Sequence, residues 1–160
     1  MNRSVLDTSV IIKSIFKPPK SISSKIHKRE LETHEKCRLI IKKLEEKKVE
    51  TYIPKVCVVE TAAVTKRLSD KDLARRISEG VFNSYELVDE AILFNIAWRI
   101  ATETGCSGFD SYFIALARIE DAILFTDDGK MHSHAEEAGV SSVLIRKIDL
   151  EGIIDILEKM

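Results

Sequence analysis

The sequence predicts an α/β protein in which a mostly parallel sheet of about five strands is covered by helices on both faces, a three-layer α/β/α sandwich. Two kinds of segment carry this reading. Short apolar runs without polar alternation, such as Ser4-Val5-Leu6 and Ala122-Ile123-Leu124-Phe125, are those of strands buried on both faces. Longer stretches between them place apolar residues at helical spacing. The two kinds alternate along the chain, as strand–helix–strand units require.

Taken in order, Ser4-Val5-Leu6 is the first strand, Asp7-Thr8-Ser9 turns off its end, and a helix starts near Ser9 or Val10. Beyond Pro18-Pro19, the spacing of Cys37, Leu39, Ile40, Ile41 and Leu44 among charges predicts a helix from about Thr33 to Lys48. Thr51-Tyr52-Ile53 reads as a second strand stopped by Pro54. The next helix, Lys55 to about Leu68, holds Glu60 among Val56, Val59, Ala63 and Val64. Ser69-Asp70 caps a further helix that runs to about Phe82. Glu86-Leu87-Val88 is a third strand, and Glu90 to Thr104 an amphipathic helix with the only tryptophan, Trp98. Gly105-Cys106-Ser107-Gly108 interrupts the chain before a helix from Phe109 to about Glu120. The strand Ala122–Phe125 follows, with Thr126-Asp127-Asp128-Gly129 turning off its end. A short helix near Lys130 to Ala138, a strand at Ser142 to Ile145 and a C-terminal helix from about Leu150 complete the chain. No repeat or linker divides it, so residues 1–160 read as one domain.

Composition narrows the function classes. A hydrophobic content of 44% across 160 residues suffices for one core, and 32% charged residues of both signs exclude a fibrous or disordered chain. No run approaches the roughly 18 uncharged apolar residues of a membrane span, and the N-terminus lacks a signal-peptide layout, so the expected location is the cytoplasm. Cys37, Cys57 and Cys106 lie far apart without Cys-x-x-Cys or zinc spacing, which excludes a disulfide or zinc framework. Cys57, in Val56-Cys57-Val58-Val59, reads as a small buried hydrophobe, and His132 and His134 as surface residues on different helix faces. The net charge of −1 hides an asymmetry: Lys13, Lys17, Lys20, Lys25, Lys28 and Arg29 form a stretch with no acid in it. Such a run is either a solvated loop or an arm that meets phosphates.

Ligands of open α/β sheets bind outside the carboxyl ends of the strands, which singles out particular acids. Asp7 follows the first strand, and Asp127 and Asp128 follow Ile123-Leu124-Phe125. Asp110 stands in the first turn of a helix, where the macrodipole favours a carboxylate. Glu60 sits among Val58, Val59, Ala62, Ala63 and Val64, where a solvated surface role explains it poorly. Singly, each acid is as well explained by a turn, a cap or a lysine partner. Gathered at one sheet edge, four or five carboxylates would repel one another by several kcal/mol unless a cation neutralised them. An all-oxygen set without Cys or His suits Mg²⁺ or Mn²⁺, ions used chiefly on phosphates. Other phosphate chemistries lack their letters. No Gly-x-x-x-x-Gly-Lys-Ser/Thr or dinucleotide turn occurs, Ser9 stands where a phosphoaspartate phosphatase has its second Asp, and no Gly-x-Ser-x-Gly elbow is present.

Four ordered segments resemble the PIN-domain ribonucleases, most closely their VapC-like toxin branch. They are Val5-Leu6-Asp7-Thr8-Ser9-Val10; Ile53-Pro54 through Val59-Glu60-Thr61-Ala62; Gly108-Phe109-Asp110-Ser111-Tyr112-Phe113-Ile114-Ala115-Leu116-Ala117; and Leu124-Phe125-Thr126-Asp127-Asp128. The resemblance implies that Asp7, Glu60, Asp110 and Asp128 are catalytic and surround one or two Mg²⁺ or Mn²⁺ ions for hydrolysis of an RNA phosphodiester. It makes Asp127 an alternate ligand or a supporting group. Thr8, Ser9 and Thr126 would bond metal waters or neighbouring carboxylates. It further implies a homodimer and an antitoxin protein as partner. Two departures stand out: residues 17–35 are longer and more basic than in compact members, and Ser111 replaces a common Ala.

The leading expectation is therefore a metal-dependent endoribonuclease, with Asp7 and Asp110 as primary ligands. Lys13, Lys17, Lys20, Lys25, Lys28 and Arg29, with Lys66 or Arg67, would steer RNA. The alternatives are a non-catalytic RNA- or partner-binding PIN module, which would have no need of all four acids, and a nuclease on DNA flaps, for which no duplex clamp is evident.

Overall fold

A computed structural model describes residues 2–160. Five strands, β1 (Arg3–Leu6), β2 (Glu50–Pro54), β3 (Glu86–Val88), β4 (Ile123–Thr126) and β5 (Ser142–Leu144), form one sheet in the order β3-β2-β1-β4-β5. Every pairing is parallel, with Val5 opposite Tyr52 on one side and Leu124 on the other. This is the α/β sandwich expected from the alternating pattern. Val5, Leu6, Leu124 and Phe125 are completely buried, because a parallel strand between two helical layers has no solvent face.

The helices are α1 (Thr8–Ile15), α2 (Ser24–Glu46), α3 (Val56–Leu68), α4 (Lys71–Ser84), α5 (Glu90–Thr104), α6 (Gly108–Ile119), α7 (Gly129–Glu137) and α8 (Leu150–Lys159), with a 3-10 turn at Ile145–Lys147. Their ends follow local chemistry. Asp70, Asp89, Ser107 and Asp149 each accept a bond from a first-turn amide of α4, α5, α6 and α8. Gly105 ends α5 in the left-handed region at φ 70°, where a side chain would be strained.

The structure corrects the reading of α2, which begins at Ser24 rather than near Thr33. Lys25, Lys28 and Arg29 therefore lie on helical turns and not on a solvated loop. Glu30 fixes those turns by an ion pair from its carboxylate to Lys13 at 2.8 Å, a partner 17 residues away that local patterning cannot reveal. Pro54 is included in β2, at its last position opposite Val88.

The order of the strands sets where a crevice opens. β1 is central, and the chain leaves it first toward β2 and β3 and later returns to its other side at β4 and β5. Right-handed crossovers then put α1 to α4 on one face and α5 to α7 on the other, consistent with α6 packing on β1, β2 and β4. The helices diverge at the carboxyl ends of β1 and β4, the switch point where open sheets bind ligands. No helix among the described residues is long and apolar enough to cross a membrane.

Candidate active site

A cavity of about 450 Å³ lies at this switch point, lined by Asp7, Glu60, Asp110 and Asp128 together with Thr8, Ser9, Ile12, Lys13, Ala63, Val64, Arg67 and Met131. Four carboxylates scattered over 121 positions of sequence are thus brought to one place, each by a different element. Asp7 is the residue between β1 and α1, and its amide continues the ladder by donating to the Phe125 carbonyl at 3.0 Å. Glu60 projects from the second turn of α3, Asp110 from the first turn of α6, and Asp128 caps α7.

Hydroxyl donors orient these groups. Ser9 Oγ and Thr126 Oγ1 both donate to Asp7 Oδ2, at 2.5 and 2.8 Å. Thr8 Oγ1 donates to Glu60 Oε2 at 2.5 Å. Asp128 Oδ1 accepts from the amides of Lys130 and Met131 at 2.8 and 3.1 Å, and Thr126 Oγ1 accepts from the Asp128 amide at 3.0 Å. Among the described residues Asp7, Glu60 and Asp128 are therefore each held through one oxygen, and the other accepts no protein donor.

The charges press on one another. Burial, reinforced by the Glu60 and Asp110 carboxylates, pushes Asp7 up to about 6 in spite of its two hydroxyl donors. Glu60 is raised by burial and by Asp110, against the Thr8 bond. Asp110 is raised by burial and by Asp128, with Ser107 and nearby His134 opposing. Three acids of one cavity thus resist ionisation for the same reasons, burial and a neighbouring carboxylate.

Of the two parts expected of Asp127, alternate ligand or supporting group, its contacts fit the second. It is 2% exposed and does not line the cavity. Its Oδ1 accepts from the Arg146 amide at 2.9 Å and from Arg146 Nε at 3.1 Å. Its Oδ2 accepts from Arg146 Nη2 at 2.9 Å and Lys13 Nζ at 2.5 Å. Burial alone would raise this carboxyl, yet the bonds from Arg146 and Lys13 hold it below its ordinary value. Its amide donates to Ser9 Oγ at 3.1 Å, so it steadies the hydroxyl that holds Asp7. Arg146, on the 3-10 turn after β5, is a contributor that no sequence signal identified, and its partner is 19 residues away.

The basic residues expected to meet RNA divide. Lys13 lines the cavity but is held between Glu30 and Asp127, which corrects its reading as a free phosphate contact. Arg29 pairs with Glu30 at 3.0 Å. Lys17, Lys20, Lys25 and Lys28 are exposed and lie outside the cavity lining.

A hard divalent ion fits the chemistry of this donor set, since the available atoms are carboxylate and hydroxyl oxygens. Among the described residues, however, no three His, Cys, Asp or Glu side chains are gathered closely enough to hold an ion as they stand. Carboxylates without a counter-ion repel one another, and a spread arrangement lowers that repulsion.

Known proteins share this fold. The chain superposes on PAE2754 from Pyrobaculum aerophilum with a TM-score of 0.60 at 15% identity, covering 99% of this chain and 90% of that one. It superposes on FitAcB from Neisseria gonorrhoeae with a TM-score of 0.61 at 17% identity (91% and 99% covered), and on a toxin–antitoxin complex from Klebsiella pneumoniae with 0.60 at 13% (91% and 99%). No curated protein matches the sequence. The PIN domain family matches residues 4–137, a span that begins in β1 and ends with α7 and so contains all four carboxylates of the cavity. By that match, over most of its length, the chain belongs to the PIN domain family.

Proposed function

We propose that this protein is a Mg²⁺- or Mn²⁺-dependent endoribonuclease and the toxin of a toxin–antitoxin pair. One observation carries the reading: Asp7, Glu60, Asp110 and Asp128 line a single cavity at the switch point of the sheet, three of them with raised pKa values. Asp7 and Asp110 would be the primary ligands, with Glu60 and Asp128 completing the set. A bound divalent ion supplies a Lewis acid for the phosphoryl oxygen and lowers the pKa of attacking water. The chain's own contribution is positional: Ser9 and Thr126 hold Asp7, Thr8 holds Glu60, and the α7 amides hold Asp128, each leaving an oxygen toward the cavity.

A toxin–antitoxin complex among proteins of the same fold supports an antitoxin partner, and the proposed setting is the cytoplasm. A homodimer is supported by α5, where Phe94 and Trp98 are 53% and 67% exposed beside a groove completed by Ala97, Ala101 and Tyr112. Residues 1–160 would act as one unit. The test is cleavage of a panel of structured RNAs with added Mn²⁺; activity that survives both Asp7→Asn and Asp110→Asn would overturn the proposal.

The spacing of the acids gives a second reading some ground, namely a module that binds RNA or a partner without cutting. Calorimetric titration separates the two, because a nuclease of this kind takes up Mn²⁺ and a binding module has no need to.

A further inference from the structure

The cavity is not chemically uniform. Its acids occupy the end nearest the sheet, where α1 and α3 begin. Farther along the same two helices the lining becomes Ile12 from α1 and Ala63 and Val64 from α3, with Met131 from α7 beside them. The far end is basic. Glu60, Ala63, Val64 and Arg67 are spaced i, i+3, i+4 and i+7, so they form one stripe along α3 that passes from acid through apolar to cation. Two cations line the cavity, and they differ in kind. Lys13 is consumed by Glu30 and Asp127, whereas Arg67 is exposed and forms no ion pair among the described residues.

Seven residues of helix separate Glu60 and Arg67 by about 10 Å along the axis. That is roughly three times the rise per nucleotide of a stacked strand, about 3.4 Å. A phosphate held among the acids therefore lies out of line with Arg67, and the guanidinium is placed for a phosphate farther along the same strand. Arg is suited to this duty because its fork donates two parallel N–H bonds to a pair of phosphate oxygens. The apolar middle of the cavity, with Ala63 exposed beside Ile12 and Met131, offers a face to the nucleosides between the two phosphates.

We infer that Arg67 is a substrate-positioning residue that grips a phosphate about three nucleotides from the scissile one on an unpaired RNA strand, so that the cavity requires more than the single phosphodiester being cut. The inference rests on the nuclease reading above and adds to it the form of the substrate and the residue that selects it. A duplex is disfavoured because its bases face their partners and cannot turn to the apolar wall between α1 and α3.

The test uses the full chain with a fluorescein-labelled pool of random 12-nucleotide RNA single strands. Affinity is read by anisotropy in an Asp110→Asn background with Mn²⁺, across 50–200 mM KCl. Arg67→Ala is expected to weaken binding about tenfold, as loss of one charge-assisted contact does. It is also expected to reduce the slope of log affinity against log salt by about 0.7, as loss of one single-strand phosphate contact does. Arg67→Lys should recover part of both. Lys71→Ala, an exposed cation at the start of α4 outside the cavity, should stay within about twofold of its parent. In otherwise wild-type protein Arg67→Ala should raise KM with little change in kcat, and a dinucleotide with one phosphodiester should show no difference. Unchanged affinity and slope in Arg67→Ala, or an equal loss in Lys71→Ala, overturn the assignment of Arg67 and leave the nuclease reading standing. A wild-type protein that neither binds nor cuts the pool overturns both.

Discussion

Replacing Asp7 by Asn should stabilise the metal-free protein while abolishing its activity. The carboxylate is 5% exposed and meets the fields of Glu60 and Asp110, which with burial lift its pKa from 3.8 to about 6. At pH 7.5 it is ionised in both folded and unfolded chains, and a rise of that size means the folded state bears about 3 kcal/mol for the charge. Asparagine removes the charge and keeps an oxygen to accept from Ser9 and Thr126. The expected gain is about 2–3 kcal/mol, or about 4–12 °C in Tm for a chain of this size. The sign reverses nowhere but the size depends on pH. As pH falls through 6 the native wild type takes up a proton that its unfolded chain does not, so its stability rises toward that of the variant. Near and below pH 4 both forms of the wild type are protonated and the difference closes. Urea unfolding at pH 7.5, 5.5 and 4, in the presence of a chelator, measures this directly. An Asp7→Asn protein less stable than wild type at pH 7.5, or a difference indifferent to pH, refutes the electrostatic account of the cavity.

Three further outcomes follow from the same structure. Mn²⁺ at a hundredfold excess over its Kd should raise wild-type stability by about 2.7 kcal/mol, visible in a thermal melt, and should raise Asp7→Asn or Asp110→Asn far less. Arg146→Ala leaves the buried Asp127 carboxylate short of its main partner and should cost about 3 kcal/mol by denaturant unfolding; Asp127→Asn in that background should recover part of it. Because Asp127 is held below its ordinary value, the contribution it makes is present above about pH 4 and lost in stronger acid, opposite in direction to Asp7. On light scattering the wild type should have twice the 18.1 kDa chain mass, and Trp98→Glu should return it to one chain, with a monomeric wild type counting against the α5 face.

What the sequence revealed and concealed divides along the range of the interactions. The strand Glu86–Val88 and the helix Glu90–Thr104 were readable to the residue, because the Asp89 cap and the left-handed Gly105 that bound the helix are local. The first nine residues of α2 were not, since a run of lysines looks solvated until Glu30 is known to meet Lys13 across the fold. The cavity shows the same division. That Asp7, Asp110 and Asp128 stand at the ends of strands or starts of helices is visible from patterning, and each does line the cavity. Asp127 and Asp128 are adjacent and chemically identical in sequence, but β4 has ended at Thr126, the chain bends at Asp127, and Asp128 is already the cap of α7. One turns to the cavity and the other to Arg146, a distinction set by a residue whose position depends on β5.

The bond from Thr126 to Asp7 spans 119 positions, and the clamp on Asp127 waits for Arg146. During synthesis the chain proceeds from its N-terminus, so the first acid of the pocket emerges long before the hydroxyl that orients it. No nascent fragment ending before residue 146 can complete this arrangement. Shorter chains carry the first acid of the pocket without the distant contacts that orient it, so the pocket and the far edge of the sheet form together.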